Sequence, residues 1–223
     1  AGLMPVVIIP LLVTAVVGLI MYLFLGKPLA AITTGLTDGL NGMAASGAGA
    51  LLGVVLGLMM CFDLGGPVNK AAYLFATAGL SAQTESSFQI MAAVMAAGMV
   101  PPLAMALATT VRKQLFTEPE IENGRAAWLL GASFISEGAI PFAAADPLRV
   151  IPSMMLGGAL TGALSMALGV GLRAPHGGIF VLFAVENPIG FLIALIAGVV
   201  VAAAAVIAAK QFGAKKSTPA LAS

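Results

Sequence analysis

Five stretches of this chain run for more than twenty residues without a charged side chain: 1–26, 39–62, 86–111, 150–172 and 187–209. Each is dominated by Ala, Val, Leu, Ile, Met and Gly. Roughly 20 apolar residues in a helix cross about 30 Å of hydrocarbon. In lipid the backbone must satisfy its own hydrogen bonds, so such runs have to be helical. Apolar residues make up 60% of the chain and charged residues 9%, with a mean hydropathy of +1.07. A water-soluble domain carries about 25% charged residues, so a soluble fold is excluded. The expected fold is an all-α polytopic membrane protein with about five full transmembrane helices.

Three stretches between these runs follow a different pattern. Residues 64–80, 126–147 and 173–188 pair apolar pieces of about half a span with Gly, Pro or charged residues. A ten-residue helix reaches only about 15 Å. Such pieces enter the bilayer and turn back. Irregular backbone at that depth survives only against protein or a water-filled cavity, and broken helices are where transporters build their sites. The fold expectation therefore adds re-entrant half-helix segments.

Basic residues follow the first run at Lys27, the third at Arg112 and Lys113, and the last at Lys210, Lys215 and Lys216. The positive-inside rule makes these ends, and the C-terminus, cytoplasmic. The hydrophilic loop 112–125 belongs on the same side, with Glu118, Glu120 and Glu122 read, like Glu85, as solvated charges. Residues 1–212 read as one transmembrane domain and 213–223 as a disordered tail. The chain starts at Ala1 with no signal-peptide pattern, which predicts further spans upstream and makes it the C-terminal part of a larger domain. The net charge of +1 offers no nucleic-acid surface. Gly53 with Gly57, and Gly158 with Gly162, have the small-xxx-small spacing that lets helices pack closely. Asp146 and Arg149 flank Pro147 and read as a structural pair.

Ionisable groups inside membrane segments are costly and mark function. Glu137 stands between two apolar half-segments, at the tip if the segment is re-entrant, where its carboxylate accepts hydrogen bonds from ligand hydroxyls. Asn69 supplies a donor and an acceptor beside Gly65, Gly66 and Pro67. Lys70 either balances a buried carboxylate or snorkels to an interface. Asp63 is either a supporting group or a span-end charge. His176, the single His, is followed by Gly177 and Gly178, whose small size leaves room for a ligand. No metal site is expected, because there is no Cys/His cluster. The lone Cys61 reads as a small core hydrophobe. No phosphate loop or nucleophile elbow occurs, so no catalytic residue and no cofactor is expected on this chain.

Three motifs occur in family order. They are Phe62-Asp63-Leu64-Gly65-Gly66-Pro67-Val68-Asn69-Lys70-Ala71-Ala72; Ile135-Ser136-Glu137-Gly138-Ala139-Ile140-Pro141-Phe142-Ala143, continuing to Asp146-Pro147-Leu148-Arg149; and Pro175-His176-Gly177-Gly178. Together they resemble the membrane component, enzyme IIC, of a bacterial fructose-specific phosphotransferase system, over nearly the whole chain. The resemblance implies a permease of the bacterial inner membrane. It moves sugar inward while a phosphoryl group passes to it, for fructose giving fructose 1-phosphate. The phosphate descends from phosphoenolpyruvate through enzyme I, HPr and IIA to a phosphocysteine on IIB, so Cys61 is not the donor. A homodimer is implied, and a Glu at a hairpin tip that binds sugar maps onto Glu137. Asn69, Lys70 and His176 complete the expected substrate site, with Asp63, Ser136, Gly138 and Gly177 in support. Residue chemistry alone leaves open a non-phosphorylating secondary transporter or channel, and another fructose-like hexose.

Overall fold

The computed structural model describes residues 4–45 and 48–213, and all that follows concerns those residues. They are helical almost throughout. Helices α1 (Ile9–Ile20) and α2 (Gly26–Ala45) continue one another through a wider π turn, Met21–Leu25. Then come α3 (Gly49–Phe62), α4 (Pro67–Gly79), α5 (Glu85–Val111), α6 (Glu118–Ala132), the short α7 (Ile140–Ala145), α8 (Pro147–Ala167) and α9 (Pro188–Gly213). Four helices are long and apolar enough to cross a membrane: Ile9–Pro28, Glu85–Val111, Pro147–Ala167 and Pro188–Phe212. The tail expected to be disordered lies, beyond Gly213, outside the described residues.

The centre is α5. Thr84 and Ser87 start it with a capping box, each hydroxyl accepting from the other's backbone N–H at 3.2 Å. Every residue from Ile90 to Pro102 is buried, and α3, α4, α6, α8 and α9 all pack on it. Its many alanines and Gly98 allow that many neighbours to approach. Pro101 and Pro102 interrupt its ladder. Lacking N–H donors, they release the carbonyls four residues back, at Ala97 and Gly98.

The Gly pairs of α3 and α8 interlock. A Cβ on Gly57 would run into the Gly158 carbonyl, and one on Gly53 into that of Gly162. The pairing is antiparallel and internal to the chain. On the other side of α8, Gly157 meets Gly198 of α9 in the same way, and Thr161 Oγ1 donates to Ala194 O at 3.1 Å.

The run 39–62, expected as the second crossing, does not make one. Its first residues finish α2, and its apolar part is the 14-residue α3, which reaches about 21 Å. Gly49 starts α3 beside Met166, at the end of α8, and Cys61 ends it near Ala97, halfway along α5. The chain then turns, and α4 returns to the starting level, where Gly79 meets Ser87. Helices α3 and α4 are thus a hairpin entering from the Thr84 end of α5. The Gly-rich sequence of 39–49 divides the charge-free run, which hydropathy alone cannot show.

Helix α6 starts at the opposite, Arg112 end of α5. Thr117 and Glu120 form its capping box. It runs back along α5, with Gly124 against Thr109 and Gly131 against Leu103. After a turn at 133–139, α7 returns towards the Arg112 end. Glu120, expected to be solvated, is only 8% exposed, because α6 folds down onto the end of α9 and turns this side chain inward. Glu85, Glu118 and Glu122 are exposed, and Arg149 Nη1 donates to Asp146 Oδ2 at 2.8 Å.

Candidate functional site

Three irregular segments meet halfway along α5. The first is the turn between α3 and α4. Leu64 has φ 51° and Gly65 φ 115°, a left-handed bend that only glycine takes without strain at the second position. Asp63 secures the start of α4: its Oδ2 accepts from Val68 N at 2.7 Å and its Oδ1 from Asn69 N at 2.9 Å. Those are two of the orphan N–H groups that open any helix, and a carboxylate there also suits the helix dipole. Asp63 therefore acts as the cap of α4. It does not line the cavity.

The second segment is the turn between α6 and α7. Phe134 has φ 63°, and a single 3₁₀ turn, Ser136–Ala139, carries Glu137. Ser136 Oγ donates to Gly98 O at 2.8 Å, the carbonyl released by Pro102. Cys61 Sγ meets Ala97 O, the one released by Pro101, at 3.5 Å. The proline pair thus provides an acceptor for each hairpin at the middle of the 27-residue central helix. Gly138 packs against Leu130 and Pro102.

The third segment, 171–186, enters from the Thr84 end. Its base is closed by an isolated bridge between Leu172 and Val185, and Leu172 N donates to Phe88 O at 3.0 Å. Arg173 reinforces the closure, donating to Glu186 Oε1 at 2.7 Å while stacking 4.5 Å over the Phe88 ring. Gly177 (φ 127°) and Gly178 (φ 59°) turn its tip, and a Cβ on Gly178 would strike the Ala132 carbonyl. That close approach holds His176 beside Phe134, with ring centroids 5.0 Å apart.

Met60, Asn69, Lys70, Tyr73, Phe134, Ile135, Ser136, Glu137 and His176 enclose a cavity of about 110 Å³. Lys70 Nζ lies 3.1 Å from Glu137 Oε1, and both side chains are about half exposed to the opening. Asn69 is buried, with Nδ2 donating to Met60 O at 2.7 Å. That fixes the amide orientation while using one of its four hydrogen-bonding positions. Tyr73 and Phe134 pack at 6.0 Å, and Tyr73 meets His176 edge-on. All four expected substrate-site residues therefore share one cavity, together with Ser136; Gly138 and Gly177 shape the turns behind it. Tyr73 and Phe134 were missed. Tyr73 had a signal, being three and four residues past Lys70 and Asn69 and so on their helix face. Phe134 had none beyond adjacency to the motif.

A carboxylate, an ammonium, a carboxamide and aromatic rings around one cavity suit a ligand that carries both hydroxyls and C–H surface. Among the described residues no group of three or more His, Cys, Asp and Glu could hold a metal ion.

The family described as Phosphotransferase system, EIIC matches residues 2–157. The chain is 56% identical over 204 residues to the PTS system fructose-specific EIIB'BC component of Escherichia coli, covering 90% of this chain and 36% of that protein. It is 47% identical over 216 residues to the PTS system fructose-specific EIIC component of Haloferax volcanii, covering 96% and 57%. It is 44% identical over 202 residues to the Fructose permease IIC component of Bacillus amyloliquefaciens, covering 91% and 65%. The chain thus spans between about a third and two thirds of the length of these curated relatives. No solved structure matches it. With the family's sequence pattern running through all of the site-bearing hairpin, this chain belongs to the phosphotransferase-system EIIC family, as a multi-pass membrane protein.

Proposed function

We propose that this chain forms the sugar-holding part of a fructose permease coupled to phosphorylation. The observation that carries the reading is the Lys70–Glu137 pair, placed halfway along the central span where three broken segments converge. A fructose hydroxyl entering between the two accepts from the ammonium and donates to the carboxylate, satisfying both. Asn69 and His176 supply further donors and acceptors, and Tyr73 and Phe134 present faces to the sugar's C–H surface.

Fructose as substrate rests on the names of the relatives, several of which also carry a IIB region in the same polypeptide. Phosphorylated IIB then meets the sugar at the cytoplasmic side and yields fructose 1-phosphate, the phosphate having come through enzyme I, HPr and IIA. The membrane chain contributes positioning, which can supply a large share of a rate enhancement by holding the reacting groups in register. The protein acts as a homodimer in the bacterial inner membrane, and the C-terminal end of α9 is cytoplasmic.

The test is uptake of labelled fructose by cells making the full-length protein, with HPr present or deleted. Accumulation of fructose 1-phosphate that requires HPr supports the reading. Free fructose accumulating without HPr overturns the coupling.

A further inference from the structure

A second cluster of charges lies at the Arg112 end of α5, away from the cavity. Lys210, near the end of α9, has a side chain only 11% exposed. Its Nζ stands 3.3 Å from Glu120 Oε1 and 3.7 Å from Asp146 Oδ2, and 4.8 Å over the Phe116 ring. Glu120 belongs to the first turn of α6. Asp146 directly follows α7. The one ammonium therefore touches both legs of the hairpin whose tip carries Glu137.

We propose that Lys210 is a positioning residue for the Glu137 site, pinning the two legs of the α6–α7 hairpin at their base. The inference rests on the reading of Glu137 as part of the sugar site. Each carboxylate is itself oriented: Glu120 Oε2 accepts from Thr117 N at 2.8 Å, and Asp146 Oδ2 from Arg149 at 2.8 Å. Without the cation, two largely buried carboxylates on separate legs face one another with only Arg149 to offset them, and like charges at reduced dielectric repel. Helix α6 has 15 residues, making a stiff arm of about 22 Å. A tilt at its base is carried to the turn at 133–139, where Glu137 has to meet Lys70 on a different hairpin. The pin also comes from α9, a helix that does not line the cavity, so it references the hairpin to a full span.

The test uses the full-length protein in membranes, with two readouts. Ser133→Cys at the hairpin turn reports its mobility through the rate of maleimide labelling, and fructose uptake reports the half-saturating concentration. Lys210→Gln is expected to raise both by about tenfold, below the roughly 10²-fold that a full 1 Å misplacement of a reacting group can cost. Lys210→Arg is expected to restore both, since a guanidinium can fork to two carboxylates. Unchanged labelling in Lys210→Gln overturns the pin, and raised labelling with unchanged half-saturation overturns its link to the site. If Lys210→Gln fails to insert, Glu120→Gln/Lys210→Gln, which removes one charge of each sign, is read in its place. Wild-type labelling by that double variant likewise overturns the proposal. Glu137→Gln is measured alongside: should it keep normal half-saturation, the site reading fails instead.

Discussion

At the residue scale, the distinguishing feature of the cavity is that its charged pair is made between two hairpins. Lys70 comes up the α4 side and Glu137 from the α6–α7 turn, 67 positions apart. Their contact exists only while both tips are in place. Glu137→Gln keeps the shape but loses the charge-assisted bonds, worth about 1.5–3 kcal/mol each. Fructose binding should weaken roughly 10- to 100-fold by that measure, with membrane insertion intact; a titration on membranes checks it. Gly65→Ala probes the same contact from the backbone. The added Cβ sits 2.6 Å from Glu137 Oε1 at a φ of 115°. It should abolish binding and lower thermal stability by about 1 kcal/mol or more. Gly18→Ala, inside α1 where nothing lies within 4 Å, should leave binding unchanged and cost no stability.

At the element scale, the two hairpins are held by different devices. The start of α4 depends on Asp63, so Asp63→Ala should cost about 1 kcal/mol, the usual loss for a helix cap. Asp63→Asn should recover only part of it, because its single amide oxygen serves one of the two N–H groups that Asp63 holds; unfolding of the purified protein measures both. The tip of the α6–α7 hairpin depends on a carbonyl that α5 leaves free. Pro102→Ala restores an N–H four residues after Gly98, which then competes with Ser136 Oγ for Gly98 O. The helix should become more regular and the hairpin tip looser. Hydrogen exchange should rise at residues 134–139 in that variant, and the new amide at 102 should itself be protected. Slower exchange at the tip would show that the proline serves some other purpose.

At the scale of the whole molecule, the segments enter from opposite ends of α5. The α3–α4 hairpin and the 171–186 loop come from the Thr84 end, and α6–α7 from the Arg112 end. The Lys210–Glu120 contact places the end of α9 and the start of α6 at one level. Helix α5, with 27 residues, spans about 40 Å between the two levels. Arg125→Cys and Gln211→Cys, both at exposed positions, should therefore react with an impermeant thiol reagent from the same side of the membrane. Gln83→Cys should react from the other side. Labelling of Gln83→Cys and Arg125→Cys from one side would contradict this arrangement.

Lipid solvation is a property of composition over some twenty consecutive residues, so the order of residues is enough to specify a helical membrane protein with polar breaks between its spans. Asn69, Lys70, Glu137 and His176 stand out in those breaks as candidates, because polar groups at membrane depth are costly. Tertiary structure alone decided how the breaks meet. The run 39–62 has the hydropathy of a crossing, yet α3 turns back, since its length and its Gly contacts with α8 leave it halfway along α5. Glu120 and Lys210 look like solvated charges until α6 and α9 come together over them. Tyr73 and Phe134 become one wall only through helix packing. These outcomes depend on contacts between residues distant in the chain, and no local pattern of polarity encodes which distant partner a side chain will reach.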